Sequence, residues 1–94
     1  MIQVVKLITG EELIGETQDL TSKITIKNPC VLQMVPSRNN PEQVGMALAP
    51  IAMHVQEHKV TVKMEHVMWI AEPVKELYNQ YNSVFGTGIQ LATL

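Results

Sequence analysis

Hydrophobic and polar residues alternate at the start of the chain. In IQVVKLIT, alternate positions fall on opposite faces of an extended chain, and Val, Ile and Thr favour strands. This pattern predicts a first strand over Gln3–Thr9. The turn TGE and a second strand, ELIGET, come next, and the short connection between them predicts a β-hairpin.

A third strand begins at KITIKN, where Ile24 and Ile26 share one face. Pro29 interrupts the run before CVLQMV resumes it, and a proline inside a strand indicates an edge position or a bulge. The third strand is therefore predicted to be long and bent. Pro36 to Gln43 form the clearest loop. Beyond that loop, either the apolar run starting at VGMALAP or the segment KVTVKM is the fourth strand, and HVMWIA is a further short strand.

The hydrophobic period changes near the end of the chain, from two residues to about 3.6. Pro73 suits the first turn of a helix and Gly86 suits the position just past its end. The pattern predicts an amphipathic helix over Pro73–Phe85, followed by IQLATL as a tail or a last short strand. The apolar face of this helix consists of Val74, Leu77, Tyr78, Tyr81, Val84 and Phe85.

These elements predict one domain over residues 1–94, with strands in 2–72, the helix in 73–85 and a tail in 86–94. The fold class is mainly β, with a C-terminal amphipathic helix that covers the sheet. Only four of the 94 residues are aromatic, so the core must consist of Val, Ile, Leu and Met. Six methionines in so small a domain favour extra apolar surface that a partner covers.

The formal net charge of −2 and the single arginine argue against binding to duplex DNA, which usually needs a strongly basic face. The one cysteine, Cys30, lies in the apolar run NPCVLQMV and is predicted to be a buried thiol, which suits a reducing compartment. No segment resembles a signal peptide or a membrane span of about 18 apolar residues. We therefore expect a cytoplasmic protein with no membrane partner.

Two glycines, Gly10 and Gly15, lie five residues apart in KLITGEELIGE and raise the possibility of a phosphate-binding loop. Such a loop leads directly into the N-terminus of a helix. Gly15 instead lies within an alternating strand, where an isolated glycine usually marks a bend or a close backbone approach. We interpret Gly10 as the hairpin turn and Gly15 as the bend of a strand.

The segment HVQEH, from His54 to His58, matches the H-x-x-E-H pattern of one class of zinc peptidases. That chemistry needs a helix that puts both histidines on one face. The segment lies between Pro50 and a strand, which predicts an exposed turn. Trp69 can stack on a base, but its apolar neighbours favour a core or a subunit interface. We therefore expect no enzyme, no cofactor and no metal site.

The order of these motifs resembles that of the Sm-like family, which includes the LSm and Hfq proteins, and the whole chain looks like small Sm-like proteins of cyanophage type. In the first motif of that family, Gly10 matches the turn glycine, Gly15 the inner glycine and Asp19 the aspartate of the following loop. The second motif aligns with VKMEHVMWI, residues 62–70. There Lys63 takes the place of the family's arginine and Met64 that of its glycine.

The resemblance implies a small, strongly bent, open β-barrel that assembles into a closed ring of about five to seven copies. It also implies binding of single-stranded RNA near the pore and a role in RNA processing or stability. The family's base-stacking position falls on Thr21 and its base-reading asparagine on Lys23. A ring that binds protein partners in a phage context, in the host cytoplasm, is the alternative. The implied RNA-binding residues are Asp19, Thr21, Lys23, Lys63, Glu65 and His66.

Overall fold

The computed structural model describes residues 1–36 and 44–85 of the chain. It confirms a mainly β architecture with one C-terminal helix, α1 (Lys75–Phe85). Two short 3₁₀ turns, Gln56–His58 and Met64–His66, flank the fifth strand. The strands are β1 (Ile2–Leu7), β2 (Glu12–Asp19), β3 (Lys23–Pro36), β4 (Val44–Pro50), β5 (Lys59–Lys63) and β6 (Val67–Ala71).

All strand pairs are antiparallel, and the sheet has the order β4-β3-β2-β1-β6. Strand β5 lies off this path and pairs with β3. Both candidates for the fourth strand are therefore strands, and they share one edge of β3. Strand β4 pairs with Cys30–Pro36, and β5 pairs with Lys23–Lys27. The 3₁₀ turn Met64–His66 connects β5 at one end of the sheet to β6 at the other.

A bulge in the middle of β3 divides that strand into two halves. Ile14 pairs with Cys30 and Glu16 pairs with Lys27, so one residue of β2 faces two residues of β3. One of those two, Asn28, has a positive φ of 51°, which asparagine tolerates better than most residues do. Pro29 is the other, and since β3 has partners on both sides, this proline marks a bulge rather than an edge strand.

Side chains along a strand alternate between the two faces of the sheet, so one extra residue shifts the alternation. Even-numbered residues of β3 face one core before the bulge and the opposite face after it. Before the bulge, Ile24 and Ile26 are fully buried in one core with Val5 and Leu13. After the bulge, Val31 packs against that same core. The other face carries a second core, which consists of Val4, Ile14, Cys30, Leu77 and Tyr81.

Gly15 lies opposite the bulge, and the space there admits no side chain. A Cβ atom at this position would lie 2.5 Å from Cγ2 of Ile26 and 2.9 Å from the carbonyl oxygen of Lys27. The absence of a side chain thus lets the two strands approach closely where β3 bends. Gly10 lies in the turn between β1 and β2 with φ at 108°, a conformation that L-residues rarely adopt.

Helix α1 begins at Lys75, two residues later than predicted. The carbonyl of Val74 accepts a hydrogen bond from the N–H of Tyr78, so Val74 precedes the first helical turn rather than lying within it. The buried stripe is also narrower than predicted, because Val74, Tyr78 and Val84 are exposed. Leu77 and Tyr81 are buried, and Phe85 packs against them.

The hydroxyl group of Tyr81 connects α1 to the bulge. It donates to the carbonyl oxygens of Asn28, at 2.9 Å, and of Lys27, at 3.3 Å. A bulge interrupts the ladder and leaves backbone groups without strand partners. The helix therefore stabilises the bend in two ways: its apolar stripe covers the second core, and Tyr81 satisfies the carbonyl groups at the bulge.

Several other predictions concern single residues or loops. Cys30 is fully buried, as predicted, and burial raises the pKa of its thiol to about 11, so the thiol is protonated at neutral pH. Trp69 is 41% exposed, so it is not a core residue of the single chain. Pro36 is the last residue of β3 rather than a loop residue. The rest of the predicted loop, Gly86 and the tail lie outside the described residues.

We expect Gly15→Ala to lower the free energy of unfolding by about 1–3 kcal/mol, because the added methyl group overlaps Ile26 and the backbone of Lys27. Gly45→Ala is the matched control, since the nearest atom to a Cβ there is the carbonyl oxygen of Val35 at 3.9 Å. Urea denaturation of both variants measures the effect. Equal stability of the two variants would contradict the close approach at Gly15.

We expect Tyr81→Phe to destabilise the fold by about 1–3 kcal/mol, because the bulge loses the one hydroxyl donor that the carbonyl oxygens of Asn28 and Lys27 share. Tyr78→Phe removes the same hydroxyl group from an exposed position of the same helix and serves as the control. Thermal and urea denaturation compare the two variants. If Tyr81→Phe is as stable as Tyr78→Phe, the hydroxyl group does not hold the bend.

Candidate nucleic-acid interface

The two segments for which the resemblance implies a role in RNA binding meet in the structure. The ladder between β3 and β5 pairs Lys23 with Lys63, so the ends of these strands lie side by side. The N–H of Met64 donates to the carbonyl oxygen of Ser22 at 2.9 Å and joins the two loops. Residues about forty positions apart along the chain thus form one surface, because β5 uses the first half of β3 as its partner.

A shallow cleft of about 310 Å³ opens where these loops meet. We call it the loop cleft, and its lining consists of Ser22, Lys23, Lys63, Met64 and Glu65. Lys23, Lys63 and Glu65 are exposed. Two ammonium groups and a serine hydroxyl give the cleft the donors that phosphate oxygens accept.

The three remaining predicted site residues do not line the loop cleft. Asp19 is the last residue of β2, and Thr21 follows in the turn; both are exposed. His66 lies at the far end of the 3₁₀ turn and lines a separate cleft beside Ile8. The carbonyl oxygen of His66 accepts from the N–H of Ile8 at 2.9 Å, which attaches this end of the turn to the β1 side. The structure therefore groups Lys23, Lys63 and Glu65, but not the other three.

A second pair of lysines extends the basic surface. The predicted site residues do not include this pair. Lys27 pairs with Lys59 four residues along the same ladder, and Thr25 pairs with Thr61 between the two lysine pairs. The signal was present in the sequence, since KITIK at 23–27 and KVTVK at 59–63 have the same polar positions. Their apolar residues point into the core, so all four lysines lie on the outer face.

Like charges directly opposite each other in an antiparallel ladder are destabilising. At one end of the ladder, nearby carboxylates offset this cost: Glu16 is the β2 partner of Lys27, and Glu57 lies 4.0 Å from Lys59. At the other end, Glu65 lines the loop cleft but lies 3.8 Å from His66, and neither Lys23 nor Lys63 forms an ion pair within residues 1–36 and 44–85. This end of the ladder is where a bound anion would lower the repulsion most.

The histidines of HVQEH do not share the face of a helix. His54 is exposed in the turn after β4, and the 3₁₀ turn covers only Gln56–His58. Glu57 and His58 both have positive φ angles, which breaks any helical repeat through the segment. Within the described part of the chain, no group of three or more His, Cys, Asp or Glu side chains is placed to hold a metal ion.

A scan of the chain against models of known protein families gives no match, and a search of curated proteins gives none either. The described helices include none that is long and apolar enough to cross a membrane. The resemblance to Sm-like proteins therefore rests on the quoted motifs alone, and the function is argued below from the geometry of the loops and strand edges.

Proposed function

We propose that this protein is a homo-oligomeric Sm-like ring that binds single-stranded RNA and modulates RNA processing or stability. The observation that carries the proposal is the pairing of Lys23 with Lys63 in the loop cleft. Two adjacent ammonium groups that form no ion pair in the described part of the chain suit phosphate oxygens of a nucleic-acid backbone. A single strand fits better than a duplex, because the net charge of −2 and the small cleft provide no broad basic face.

The bent sheet supports the Sm-like part of the proposal. Strand β3 contributes side chains to both cores, and the three-residue turn Met64–His66 joins the strands at opposite ends of the sheet. We infer a small, strongly bent, open barrel from these two features. In this barrel the loops of the lysine pair lie together at one end, as the resemblance implies.

The free strand edges support assembly. In the described part of the chain, β4 pairs only with β3, and β6 pairs only with β1. Unpaired strand edges favour association with another chain. Exposed apolar residues accompany both edges, with Met46 on β4 and Met68 and Trp69 on β6. Pairing β4 of one copy with β6 of the next is a heterologous contact, which closes into a ring of about five to seven copies if the rotation permits.

Ring closure would repeat the lysine pair around one opening. Each copy contributes Lys23 and Lys63, so a collar of positive charge forms even though every chain has a net charge of −2. A local concentration of one sign of charge steers a charged ligand and raises its rate of association. The collar thus explains how an acidic chain can bind an acidic ligand.

RNA binding is tested by a salt titration with fluorescent U-rich and A-rich oligonucleotides. We expect wild-type protein to bind at low salt, and the double variant Lys23→Gln/Lys63→Gln to bind more weakly. Loss of two phosphate contacts should reduce the slope of log K against log salt by at least about 1.4. The control is Lys6→Gln/Lys75→Gln, which removes the same charge from β1 and α1.

The control variant should keep the wild-type salt slope, because neither Lys6 nor Lys75 belongs to the β3–β5 ladder. No binding by wild-type protein even at low salt would refute the RNA-binding proposal. Equal losses in the two double variants would refute the role of the Lys23–Lys63 pair, since they would indicate a response to net charge alone.

Assembly through the β6 edge is tested by Met68→Glu. Met68 is 58% exposed, so the change should leave the fold intact while it places a charge at the proposed contact. We expect light scattering to show smaller species than for wild-type protein. Met53→Glu is the control, because Met53 is 55% exposed but lies in the turn after β4, away from both edges. If Met68→Glu forms species of the same size as wild-type protein, β6 is not part of the interface.

A second candidate function is an adaptor ring that binds protein partners in a phage context. Five of the six methionines are exposed, and methionine-rich surfaces adapt to partners of different shape. Thr21, at the position where the resemblance places a stacking residue, also offers no aromatic ring. Capture of partners from a nuclease-treated lysate separates the two functions. Partners that persist without RNA favour the adaptor.

A further inference from the structure

A second cleft lies between helix α1 and the bulge of β3. Its volume of about 410 Å³ falls within the range of small-molecule sites. We call it the helix cleft, and its lining includes Tyr78, Asn82 and Phe85 from α1 together with Glu16, Lys27 and Asn28 from the two strands. None of these residues belongs to the loop cleft.

Aromatic residues are concentrated in this cleft. The chain has four, and three of them, Tyr78, Tyr81 and Phe85, line it. Tyr81 and Phe85 pack against each other with ring centroids 5.3 Å apart, and Tyr81 is committed to the bulge by its hydroxyl group. Tyr78 is different, because 43% of it is exposed. An accessible aromatic ring above a cleft is the usual platform for a planar ligand.

The polar groups of the cleft are of the types that recognise a nucleotide. Asn82 is half-buried in the same lining, and an amide offers both donors and an acceptor to the edge of a base, as in pairs with adenine. The rim carries two opposite charges on neighbouring strand positions, Lys27 and Glu16. An ammonium group suits a phosphate, and a carboxylate accepts hydrogen bonds from ribose hydroxyl groups.

We propose that the helix cleft binds one purine nucleotide unit, with the base against Tyr78 and Asn82 and the phosphate at Lys27. The unit is either a free nucleotide or one residue of a bound RNA strand. This site does not depend on RNA binding at the loop cleft. Lys27 belongs to the lysine ladder as well, so a strand that leaves the loop cleft along that ladder would reach the helix cleft.

The test measures binding of adenosine 5′-monophosphate, ribose 5-phosphate and an A-rich oligonucleotide to the full chain, by calorimetry and by chemical-shift mapping of the α1 amides. Tyr78→Ala should weaken binding of the adenine ligand at least about fivefold, as expected for the loss of one stacking partner. Tyr78→Phe keeps the ring and should bind within about twofold of wild type. Val84→Ala, at another exposed site on α1, is the control for changes in the helix.

Adenosine 5′-monophosphate and the A-rich oligonucleotide together distinguish a free nucleotide from a residue of RNA as the ligand. Binding of the free monophosphate that depends on Tyr78 supports a site for a free nucleotide. If only the binding of the oligonucleotide depends on Tyr78, the helix cleft is a subsite for RNA. Ribose 5-phosphate that binds as tightly as adenosine 5′-monophosphate overturns the proposal, because the base would then contribute nothing.

Failure of this inference can be told apart from failure of RNA binding at the loop cleft. An oligonucleotide that responds to Lys23→Gln/Lys63→Gln but not to Tyr78→Ala overturns the helix cleft and leaves the proposed function intact. If adenosine 5′-monophosphate binds through Tyr78 but the oligonucleotide does not bind, the helix cleft stands and the proposed RNA binding is overturned. Absence of binding by both ligands overturns the helix cleft.

Discussion

The rest of the structure depends on one bend, where Asn28 and Pro29 bulge out of β3 opposite Gly15. The extra residue shifts the alternation of the strand, so its first half faces one core, whereas its second half contributes Val31 to that core and Cys30 to the second core. A side chain at Gly15 would collide with Ile26 and with the backbone of Lys27. The hydroxyl group of Tyr81 then donates to the carbonyl oxygens of Asn28 and Lys27 at the bulge. The absence of a side chain at Gly15 and the hydroxyl group of Tyr81 together stabilise the bend.

The bend also creates both candidate sites. Because β3 bends at its middle, β5 can pair with its first half while β4 pairs with its second half. The first pairing brings Lys23 against Lys63 and forms the loop cleft. Docking of α1 on the bulge forms the helix cleft beside Lys27. One irregularity in one strand thus connects the packing of the core to both proposed phosphate positions.

Much of the fold could be predicted from local patterns. Alternation predicted the first three strands, and Pro29 indicated an edge position or a bulge, of which the structure shows the bulge. The pairing of KITIK with KVTVK could not be predicted, because register depends on the bend and not on either segment alone. The exposure of Val74, Tyr78 and Val84 was missed for a similar reason: periodicity shows which residues share a face, but only docking decides how wide a stripe is buried. His66 lies apart from the loop cleft because the 3₁₀ turn carries it across to the β1 side, which no local pattern indicates.

We propose that one chain is an incomplete unit. Within residues 1–36 and 44–85, β4 and β6 each pair with one strand only, and in the proposed ring their free edges pair between copies. Native mass spectrometry of the wild-type chain tests this claim most directly. The account predicts one discrete species with about five to seven times the chain mass of 10.5 kDa. A monomer at micromolar concentration would contradict it, and so would an open series of sizes without a closed end point.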